Sequence, residues 1–380
     1  TSTYLIEAML QANGFTPGVI GTVSYRYAGR EEPAAHTTPE AGDLQRLLHE
    51  MLDAGVSHCV MEVSSHALAL ERVWGCRFAA ALFTNLTQDH LDFHGDMQTY
   101  YAAKARLFRE YPLGVAVVNR DDPYGATLLR ETQAPRITYG LSPEADVSVA
   151  HLVMGAQGIE LQAKVQGHRV GVRSGLIGRH NVYNILGALA LAAGMGLDLS
   201  GARQGIESLA AVPGRFERVD EGQPFTVLVD YAHTDDALRN VLLAARGIVQ
   251  GRLILVFGAG GDRDRSKRPR MGRVAAECAD LTLITSDNPR TEPPIDIIRA
   301  IEAGYQQAAA PPQYWVIEDR AKAIHEAIAL ACAGDIVLIA GKGHETYQIV
   351  GSRRLPFDDR LVARKALHAL GYPGSLRQRA

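Results

Sequence analysis

The sequence predicts an α/β protein built from two successive domains. Short apolar runs alternate with helical segments along the chain, and the alternation begins again after the break Val212-Pro213-Gly214-Arg215. Strands separated by helices are typical of parallel sheets that helices cover. We therefore expect one domain over 1–213 and a second, Rossmann-like α/β domain over 214–380.

The first domain is predicted to contain a mostly parallel sheet, because its apolar runs are short and helical segments lie between them. The predicted elements are, in chain order, a helix over 3–12, a strand over 19–23, a helix over 43–54, strands over 57–63 and 79–84, a helix over 97–110 and a strand over 114–119. Alternating polarity over 145–174 then predicts a small antiparallel β insertion. Helices over 181–194 and 199–209 complete the domain.

The second domain repeats the pattern of strand and helix. Its predicted strands are the apolar runs over 225–229, 253–257, 281–284, 314–317 and 335–339. Polar and glycine-rich residues follow several of these strands. In open α/β sheets the carboxyl ends of the strands form the edge at which ligands bind, so we expect the functional residues of this domain there.

Composition excludes several classes of protein. The 380 residues are 47% hydrophobic and 21% charged with a formal net charge of -3, which does not suit a protein dominated by nucleic-acid contacts. No apolar stretch approaches the ~20 residues that span a bilayer, and Thr1-Ser2-Thr3-Tyr4 does not resemble a signal peptide. The four cysteines are widely spaced, and we expect reduced core thiols in a cytoplasmic protein with no membrane partner.

The first residues resemble the start of a helix that follows a phosphate-binding loop. Thr1-Ser2-Thr3 precedes an apolar helical segment, as hydroxyl residues do after the Gly-Lys of such a loop. We expect the loop to lie immediately before Thr1. The alternative is that these residues only cap the helix.

The most informative motif is Asp287-Asn288-Pro289-Arg290, which follows an apolar strand. Pro289 ends regular structure, so the polar residues are displayed beyond the carboxyl end of that strand. The guanidinium of Arg290 suits a carboxylate, because its fork of donors matches two oxygens. Taken alone, the motif is equally compatible with a surface turn.

Two further glycine-rich segments follow strands of the second domain. Gly258–Arg268 is cationic and includes Arg263, and Gly341–Glu345 ends in a carboxylate that suits an amine. Arg263, Arg290 and Glu345 are thus predicted to meet at one edge of the sheet. Together they match a zwitterion, a molecule that carries both a carboxylate and an ammonium group.

The first domain contains residues suited to a metal ion and a nucleotide. Glu62 ends a strand, where its carboxylate can hold Mg²⁺, and the segment 84–94 holds two His and two Asp, including His90. Lys104 lies on a partly apolar helix face, where a lysine usually extends its ammonium to solvent. Asn181 and Asn184, three residues apart, share a helix face and could bind a flat heterocycle.

With these residues in view, the chain resembles the Mur ligase family over nearly its whole length, and most closely the members that add diaminopimelate. The resemblance is carried by the motifs Glu62-Val-Ser-Ser-His66, Thr84-Asn-Leu, His90-Leu-Asp-Phe-His94, Lys104, Asn181 with Asn184, Asp230-Tyr-Ala-His233, Asp287–Arg290 and Gly341-Lys-Gly-His-Glu345. It implies an ATP-dependent amide ligase of peptidoglycan synthesis that joins meso-diaminopimelate to UDP-N-acetylmuramoyl-L-alanyl-D-glutamate through an acyl phosphate. It also implies a Mg²⁺ cofactor and, we expect, a cytoplasmic monomer.

The resemblance assigns a role to each matching residue. Glu62, His90 and a carbamylated Lys104 would support Mg²⁺ and catalysis. The muramoyl dipeptide would contact Thr37, Thr38, Ser64 and Arg72. ATP would contact Asn181, Asn184, Arg215 and Asp230. Diaminopimelate would contact Arg263, Asp287, Asn288, Pro289, Arg290, Gly341 and Glu345. His344 is a weaker candidate for assisting deprotonation of the incoming amine.

Three alternatives stay open on the sequence. A ligase that adds L-lysine would share most motifs, but Arg290 disfavours it because lysine lacks the second carboxylate. Folylpolyglutamate synthetase and the ligase half of cyanophycin synthetase share the ATPase motifs but are not expected to carry both Asp287–Arg290 and Gly341–Glu345. A non-catalytic scaffold would have no need of Glu62, His90 and Lys104.

Overall fold

A computed structural model describes residues 1–309 and 311–372. The chain divides into two compact units. The first consists of Thr1–Gly175 and Arg179–Ala210, and the second of Leu176–Gly178 and the described residues from Ala211 onward. The division after Ala210 falls close to the Pro213-Gly214 break.

The first unit combines eight helices and ten strands within the described residues. The helices are α1 (Ser2–Ala12), α2 (Ala41–Asp53), α3 (Ser65–Ala69), α4 (Leu91–His94), α5 (Met97–Arg109), α6 (Pro123–Glu131), α7 (Arg179–Gly194) and α8 (Leu199–Ser208). The strands are β1 (Pro17–Ile20), β2 (Ser24–Tyr27), β3 (Arg30–Pro33), β4 (His58–Met61), β5 (Phe78–Phe83), β6 (Leu113–Asn119), β7 (Arg136–Gly140), β8 (Val147–Gly155), β9 (Gly158–Val165) and β10 (His168–Ser174).

These strands form two sheets. A four-stranded sheet has the order β3-β2-β1-β4, and a six-stranded sheet has the order β10-β9-β8-β7-β6-β5. Strands β5 to β8 pair in parallel, whereas β8, β9 and β10 pair antiparallel. The predicted antiparallel segment therefore exists, but it extends the parallel sheet instead of forming a separate insertion. The parallel pairing of β8 with β7 makes the two parts continuous.

Some elements carry no clear sequence signal. Strand β3 has the sequence Arg-Glu-Glu-Pro and is exposed along its whole length, so no apolar alternation identifies it. Helix α7 is buried on most sides, in contrast to the exposed strand β3. Most of its residues are apolar and buried, so it lacks the single apolar face that identifies an amphipathic helix. Hydrophobic periodicity identifies elements with one buried face most easily, so it does not detect a strand with none.

The second unit contains a single large sheet and a hairpin. The helices are α9 (Asp235–Arg246), α10 (Lys267–Cys278), α11 (Pro294–Tyr305), α12 (Arg320–Ala329) and α13 (Asp359–Ala369). The strands are β11 (Glu217–Val219), β12 (Thr226–Asp230), β13 (Leu253–Phe257), β14 (Leu281–Ile284), β15 (Gln313–Val316), β16 (Ile336–Ala340), β17 (Tyr347–Val350) and β18 (Arg353–Pro356). The sheet order is β11-β12-β16-β13-β14-β15, and all pairs except β11–β12 are parallel.

Strand β13 shows how this sheet separates two hydrophobic cores. Leu253, Leu255 and Phe257 pack with α9, α10 and α11, and the alternate residues Ile254 and Val256 pack with α12 and α13. All five residues are fully buried, because helices cover both faces of the sheet. The five parallel strands β12, β13, β14, β15 and β16 therefore end at one edge, and the polar segments that follow β12, β13, β14 and β16 lie there.

A buried ion pair connects this edge to α13. The guanidinium of Arg320 donates to both carboxylate oxygens of Asp359, at 2.8 and 2.7 Å, and neither side chain is exposed. Arg320 also donates to the carbonyl oxygens of Ala340 and Ser286, at 2.9 and 3.4 Å. The pair thus holds the ends of two strands that precede the predicted ligand-binding segments.

We expect Arg320→Met to lower the free energy of unfolding by about 3–5 kcal/mol, because it leaves the Asp359 carboxylate buried without its cation. The midpoint of urea denaturation measures the change. Arg299→Met, which removes an exposed guanidinium on α11, serves as the control. The double variant Arg320→Met/Asp359→Leu should recover part of the loss, and a double variant as unstable as the single one would contradict the role of the unpaired charge.

Two sequence expectations concern the surface and the cysteines. Within the described residues no helix combines the length and apolar character that crossing a membrane requires. The prediction of core thiols is wrong for Cys59 and Cys332, which are exposed, and Cys76 and Cys278 are only partly buried. Apolar neighbours in sequence misled that prediction, because Cys59 lies on an edge strand of its sheet and Cys332 in a loop.

Candidate functional site

The second unit brings three predicted segments together at the edge of its sheet. Gly258 follows β13, Asp287–Arg290 follows β14, and Gly341–Glu345 follows β16. A Cβ added at Gly341 would lie 2.5 Å from the carboxylate of Asp287, so only glycine permits this approach. Gly341 also adopts φ 116, a value that favours glycine. The close packing of these segments explains the glycines that the sequence places there.

The guanidinium of Arg290 is held in the glycine-rich segment. It donates to the carbonyl oxygen of Gly261 at 2.8 Å, and the Gly261 N–H donates to the carbonyl oxygen of Asn288 at 2.9 Å. The side chains of Arg290 and Arg263 both border Gly260. Within the described residues neither guanidinium forms an ion pair with a carboxylate. Two cations that lack an anionic partner at one edge make a site for an anionic ligand.

The backbone of Arg290 is fixed by the hairpin β17–β18, which is not among the elements predicted from the sequence. The Arg290 N–H donates to the carbonyl oxygen of Ile349 at 3.0 Å, and Gln348 donates to the carbonyl oxygen of Asp287 at 2.6 Å. Arg290 adopts φ 53, the left-handed region that residues with a Cβ rarely occupy. The short run Tyr347-Gln-Ile-Val350, rich in residues that favour strands, and the following Gly351 were the available sequence signal for the hairpin.

Glu345 faces Asn288 in the same group of residues. Asn288 donates from Nδ2 to Oε2 of Glu345 at 2.9 Å, and Lys342 donates to the same oxygen at 2.8 Å. No described residue forms a hydrogen bond with the second oxygen, Oε1. Glu345 can therefore accept an ammonium while it keeps both protein partners.

Further hydrogen bonds join the glycine-rich segment Gly258–Arg268 to Thr291 and Glu292, which follow Arg290. Arg268 is buried and donates to both carboxylate oxygens of Glu292, at 3.0 and 2.8 Å, and the Asp262 N–H donates to Glu292 at 2.7 Å. The Thr291 hydroxyl donates to Asp262 at 2.8 Å. Hydrogen bonds from Arg268 and from the Asp262 N–H lower the pKa of Glu292 to about 2.

Because the pKa of Glu292 is depressed in the folded state, this carboxylate stabilises the fold at pH values above its unfolded pKa of about 4.3. That stabilisation should be lost as the pH falls toward 2. We expect Glu292→Gln to lower the urea midpoint at pH 7 and to make its decline between about pH 4.5 and pH 2 shallower. Glu277→Gln, at an exposed ion pair with Arg239, is the control. Parallel acid profiles for wild type and Glu292→Gln would disprove the assignment.

His344 is a weak base and the carboxylate of Asp230 is occupied by backbone hydrogen bonds, so each is less free for the role predicted from the sequence. Burial and the neighbouring cations Arg215, Arg360 and Lys342 lower the pKa of His344 to about 4, so it is neutral at pH 7 and a weak base. Asp230 is buried, which raises its pKa, and its two oxygens accept the N–H groups of Phe216 and Ala232 at 2.7 and 2.8 Å. These bonds hold the turn that carries Arg215. A contact of Asp230 with a ribose stays a prediction.

In the first unit, His90 and Lys104 border Tyr100, and Glu62 is close enough to Lys104 for its charge to act on the ammonium. The Lys104 ammonium is 5.3 Å from the centre of the Tyr100 ring, and the His90 ring centre is 5.9 Å from it. Burial lowers the pKa of Lys104, and the carboxylates of Glu62 and Asp89 oppose that change. Glu62 itself is exposed and accepts a hydrogen bond from Thr22 at 3.0 Å.

This arrangement fits a divalent cation only if the lysine is modified. Among the described residues no group of three His, Cys, Asp or Glu is placed to hold a metal ion. Glu62 and His90 supply two oxygen- or nitrogen-donor side chains, and a carbamate on Lys104 would add a carboxylate. A lysine reacts with CO₂ only as the neutral amine, and the lowered pKa increases that fraction at neutral pH.

The residues predicted to bind the dipeptide form a connected network with Glu62. The Thr38 hydroxyl donates to the carbonyl oxygen of Glu62 at 2.8 Å and accepts the Ser64 N–H at 3.0 Å. Arg72 donates to the carbonyl oxygen of Thr38 at 3.2 Å and pairs with Glu40 at 2.6 Å. Thr38 is fully buried, so its hydroxyl shapes this loop.

Two further predicted residues bond to each other instead of standing free. Asn184 donates to Oδ1 of Asn181 at 3.0 Å, and the Ser2 hydroxyl donates to Oδ1 of Asn184 at 3.1 Å. The two amides therefore share a face of α7, as their spacing predicts. Their contact with an adenine ring stays a prediction.

Comparison with known proteins identifies the family. Residues 1–192 match the Mur ligase middle domain, and residues 214–343 match the domain described as Mur ligase, glutamate ligase domain. The chain belongs to the Mur ligase family. These matches cover most of the chain, and the α/β fold predicted from the sequence is confirmed.

Relatives within the Mur ligase family carry a common name. UDP-N-acetylmuramoyl-L-alanyl-D-glutamate--2,6-diaminopimelate ligase of Solibacter usitatus is 50% identical over 375 residues, which cover 98% of this chain and 76% of that protein. The ligase of the same name from Gloeobacter violaceus is 50% identical over 369 residues, covering 97% of this chain and 74% of that protein. The resemblance to the diaminopimelate-adding members is confirmed by these relatives.

Solved structures similar to this chain differ mainly in their sequence identity to it. A structure of a UDP-N-acetylmuramoyl-L-alanyl-D-glutamate--2,6-diaminopimelate ligase has a TM-score of 0.70 and 36% identity, covering 98% of this chain and 76% of that one. Folylpolyglutamate synthase of Mycobacterium tuberculosis has a TM-score of 0.66 at 19% identity, covering 90% of this chain and 85% of that one. At that identity the likeness shows a shared fold and no more.

Proposed function

We propose that this Mur ligase joins meso-diaminopimelate to UDP-N-acetylmuramoyl-L-alanyl-D-glutamate with hydrolysis of ATP to ADP and phosphate. The observation that carries the proposal is the edge of the second sheet. There Arg263 and Arg290 lack an ion-pair partner among the described residues, and Glu345 keeps one oxygen without a hydrogen-bond partner. This set suits an amino acid that presents carboxylates and an ammonium together.

Diaminopimelate differs from lysine at its far end, where it carries a second carboxylate beside the second ammonium. We propose that Arg290 binds that carboxylate, because its fork of donors fits two oxygens. Asp287, Asn288, Pro289 and Gly341 shape the segment around it, and Arg263 supplies a second cation. Lysine would present a lone ammonium to Arg290 and be repelled.

The first unit supplies the groups for activating the substrate carboxylate. Transfer of the γ-phosphoryl group of ATP to the D-glutamate carboxylate gives an acyl phosphate, and the amine of diaminopimelate then displaces phosphate to form the amide. Glu62, His90 and carbamylated Lys104 would hold Mg²⁺, which stabilises negative charge on the transferring phosphoryl group when bound. Thr37 and the residues hydrogen-bonded to Thr38, Ser64 and Arg72, are proposed to position the dipeptide.

Other residues are proposed to bind ATP, and His344 is considered as the base that would deprotonate the incoming amine. We propose Asn181 and Asn184 for the adenine ring and Arg215 for the phosphates, with Asp230 holding the turn of Arg215. His344 is neutral at pH 7 but too weakly basic to take a proton from an ordinary ammonium efficiently. We propose that the amine loses its proton to solvent, because an ordinary carboxylate is no stronger a base than His344.

Phosphate release by the complete gene product tests the proposal. With ATP, Mg²⁺ and UDP-N-acetylmuramoyl-L-alanyl-D-glutamate, we expect release with meso-diaminopimelate and little with L-lysine. Release with lysine alone would retain the ligase and overturn the role of Arg290. Release with neither amino acid would favour a non-catalytic protein. We also propose action in the cytoplasm as a monomer, which sedimentation of the purified protein would test.

A further inference from the structure

Lys342 is a buried cation that none of the assignments above explains. It lies between Gly341 and Gly343, and its side chain is fully buried. Its ammonium donates to Oε2 of Glu345 at 2.8 Å and to Oδ1 of Asn288 at 3.2 Å. A buried ammonium is strongly destabilising unless a carboxylate and further acceptors compensate it. Two residues proposed to bind the amino acid supply that compensation.

The ammonium also determines which way the Asn288 amide points. Oδ1 of Asn288 accepts two hydrogen bonds, from Lys342 and from the Ile349 N–H, the latter at 2.9 Å. A rotated amide would place its NH₂ group against both donors. Nδ2 must therefore point to Glu345, which it contacts at 2.9 Å. Through these bonds Lys342 fixes the positions of the amide and the carboxylate.

Lys342 changes the charge balance of the site as well. Its ammonium offsets the charge of Glu345 in the unliganded protein, so the site is one charge more positive than it would be without Lys342. That charge disfavours a substrate with an extra ammonium relative to one with equal numbers of carboxylate and ammonium groups. This effect of Lys342 adds to the direct contact of Arg290.

We propose that Lys342 is a positioning and specificity residue of the amino-acid site, which orients Glu345 and Asn288 and disfavours substrates that carry an extra positive charge. The inference rests on the proposed function. It predicts two separable effects of removing the ammonium. Binding of diaminopimelate becomes weaker because its partners lose their fixed orientation, and discrimination against lysine declines because the repelling charge is gone.

Lys342→Met, which keeps most of the stem and removes the charge, is the first test. We expect the KM for meso-diaminopimelate to rise about 10-fold or more, with a smaller change in kcat and an unchanged KM for ATP. The ratio of kcat/KM for diaminopimelate to that for lysine should fall by about 10-fold or more. Lys322→Met, which removes an exposed lysine of α12, is the matched control and should behave as wild type.

A purely structural lysine predicts a different result, in which both amino acids lose kcat/KM equally and their ratio stays constant. That outcome would overturn the inference. If Lys342→Met does not fold, Lys342→Gln replaces it, because the amide retains a donor for Glu345 without the charge, and the same ratio decides. Wild-type enzyme that releases no phosphate with diaminopimelate would instead refute the proposed function, so the two failures are distinguishable.

Discussion

Lys104→Ala is expected to lower kcat by about 10²- to 10³-fold, because it removes the group that would carry the carbamate. Burial lowers the pKa of Lys104, which favours the neutral amine that reacts with CO₂. The product replaces a positive charge with a negative one on a side chain that borders Tyr100, as His90 also does. Mg²⁺ would then find a third anionic or neutral donor beside Glu62 and His90. Without the carbamate, Mg²⁺ would lose one ligand and would stabilise the charge of the transferring phosphoryl group less well.

Three measurements separate this role from a general loss of structure. Acetate or formate should restore part of the activity of Lys104→Ala, since each supplies a carboxylate to the vacated space. Carbon-13 bicarbonate should give a carbamate signal in wild type that the variant lacks. Because the amine must be unprotonated, that signal should weaken as the pH falls through the pKa of Lys104. Lys164→Ala, an exposed lysine on β9, is the control, and a Lys104→Ala enzyme with normal kcat would refute the carbamate.

Arg290→Ala is expected to raise the KM for meso-diaminopimelate about 100-fold, equivalent to about 2.7 kcal/mol, while the KM for ATP changes little. The guanidinium is held by the Gly261 carbonyl oxygen and has no ion-pair partner among the described residues, so its anionic partner would come from the ligand. Discrimination against lysine should fall in parallel. Initial rates at varied concentrations of each substrate measure these effects.

Matched variants sharpen the test of Arg290. Arg290→Lys keeps the charge and loses the fork, so it should restore only part of the affinity. Arg299→Ala removes an exposed guanidinium from α11 and should leave both KM values unchanged. Since Arg290 has a positive φ, the denaturation midpoint of each variant must be compared with wild type. Equal increases in the two KM values would contradict a specific contact with diaminopimelate.

The strands of the second sheet show what apolar pattern can predict. The ranges 253–257 and 281–284 are predicted from sequence and appear as β13 and β14 with the same bounds. Strands buried on both faces are short, continuous apolar runs, so their ends are visible in the sequence. The apolar pattern alone therefore predicts that the polar residues immediately after those ends lie at one edge of the sheet.

Other features depended on contacts between residues that are distant in the chain. Strands β3 and β18 are exposed along their whole length and show no apolar alternation, so pairing with a neighbouring strand, and not composition, defines them as strands. The hairpin fixes Arg290 through backbone hydrogen bonds, which any residue type can make. No residue pattern identifies such a contact. The exposure of Cys59 was also not predicted, because it depends on the position of β4 at the edge of its sheet.

The sequence by itself determined the α/β class, the strand ends and the motifs that assign the chain to the Mur ligase family. These features are local, because they depend on the order of apolar, glycine and charged residues over short segments. Only the tertiary structure decided that Lys342 holds Glu345 and Asn288, that Asp230 is bound by backbone amides, and that Arg263 and Arg290 border the same glycine. Those facts depend on which distant segments approach each other, and burial and partner choice follow from that approach.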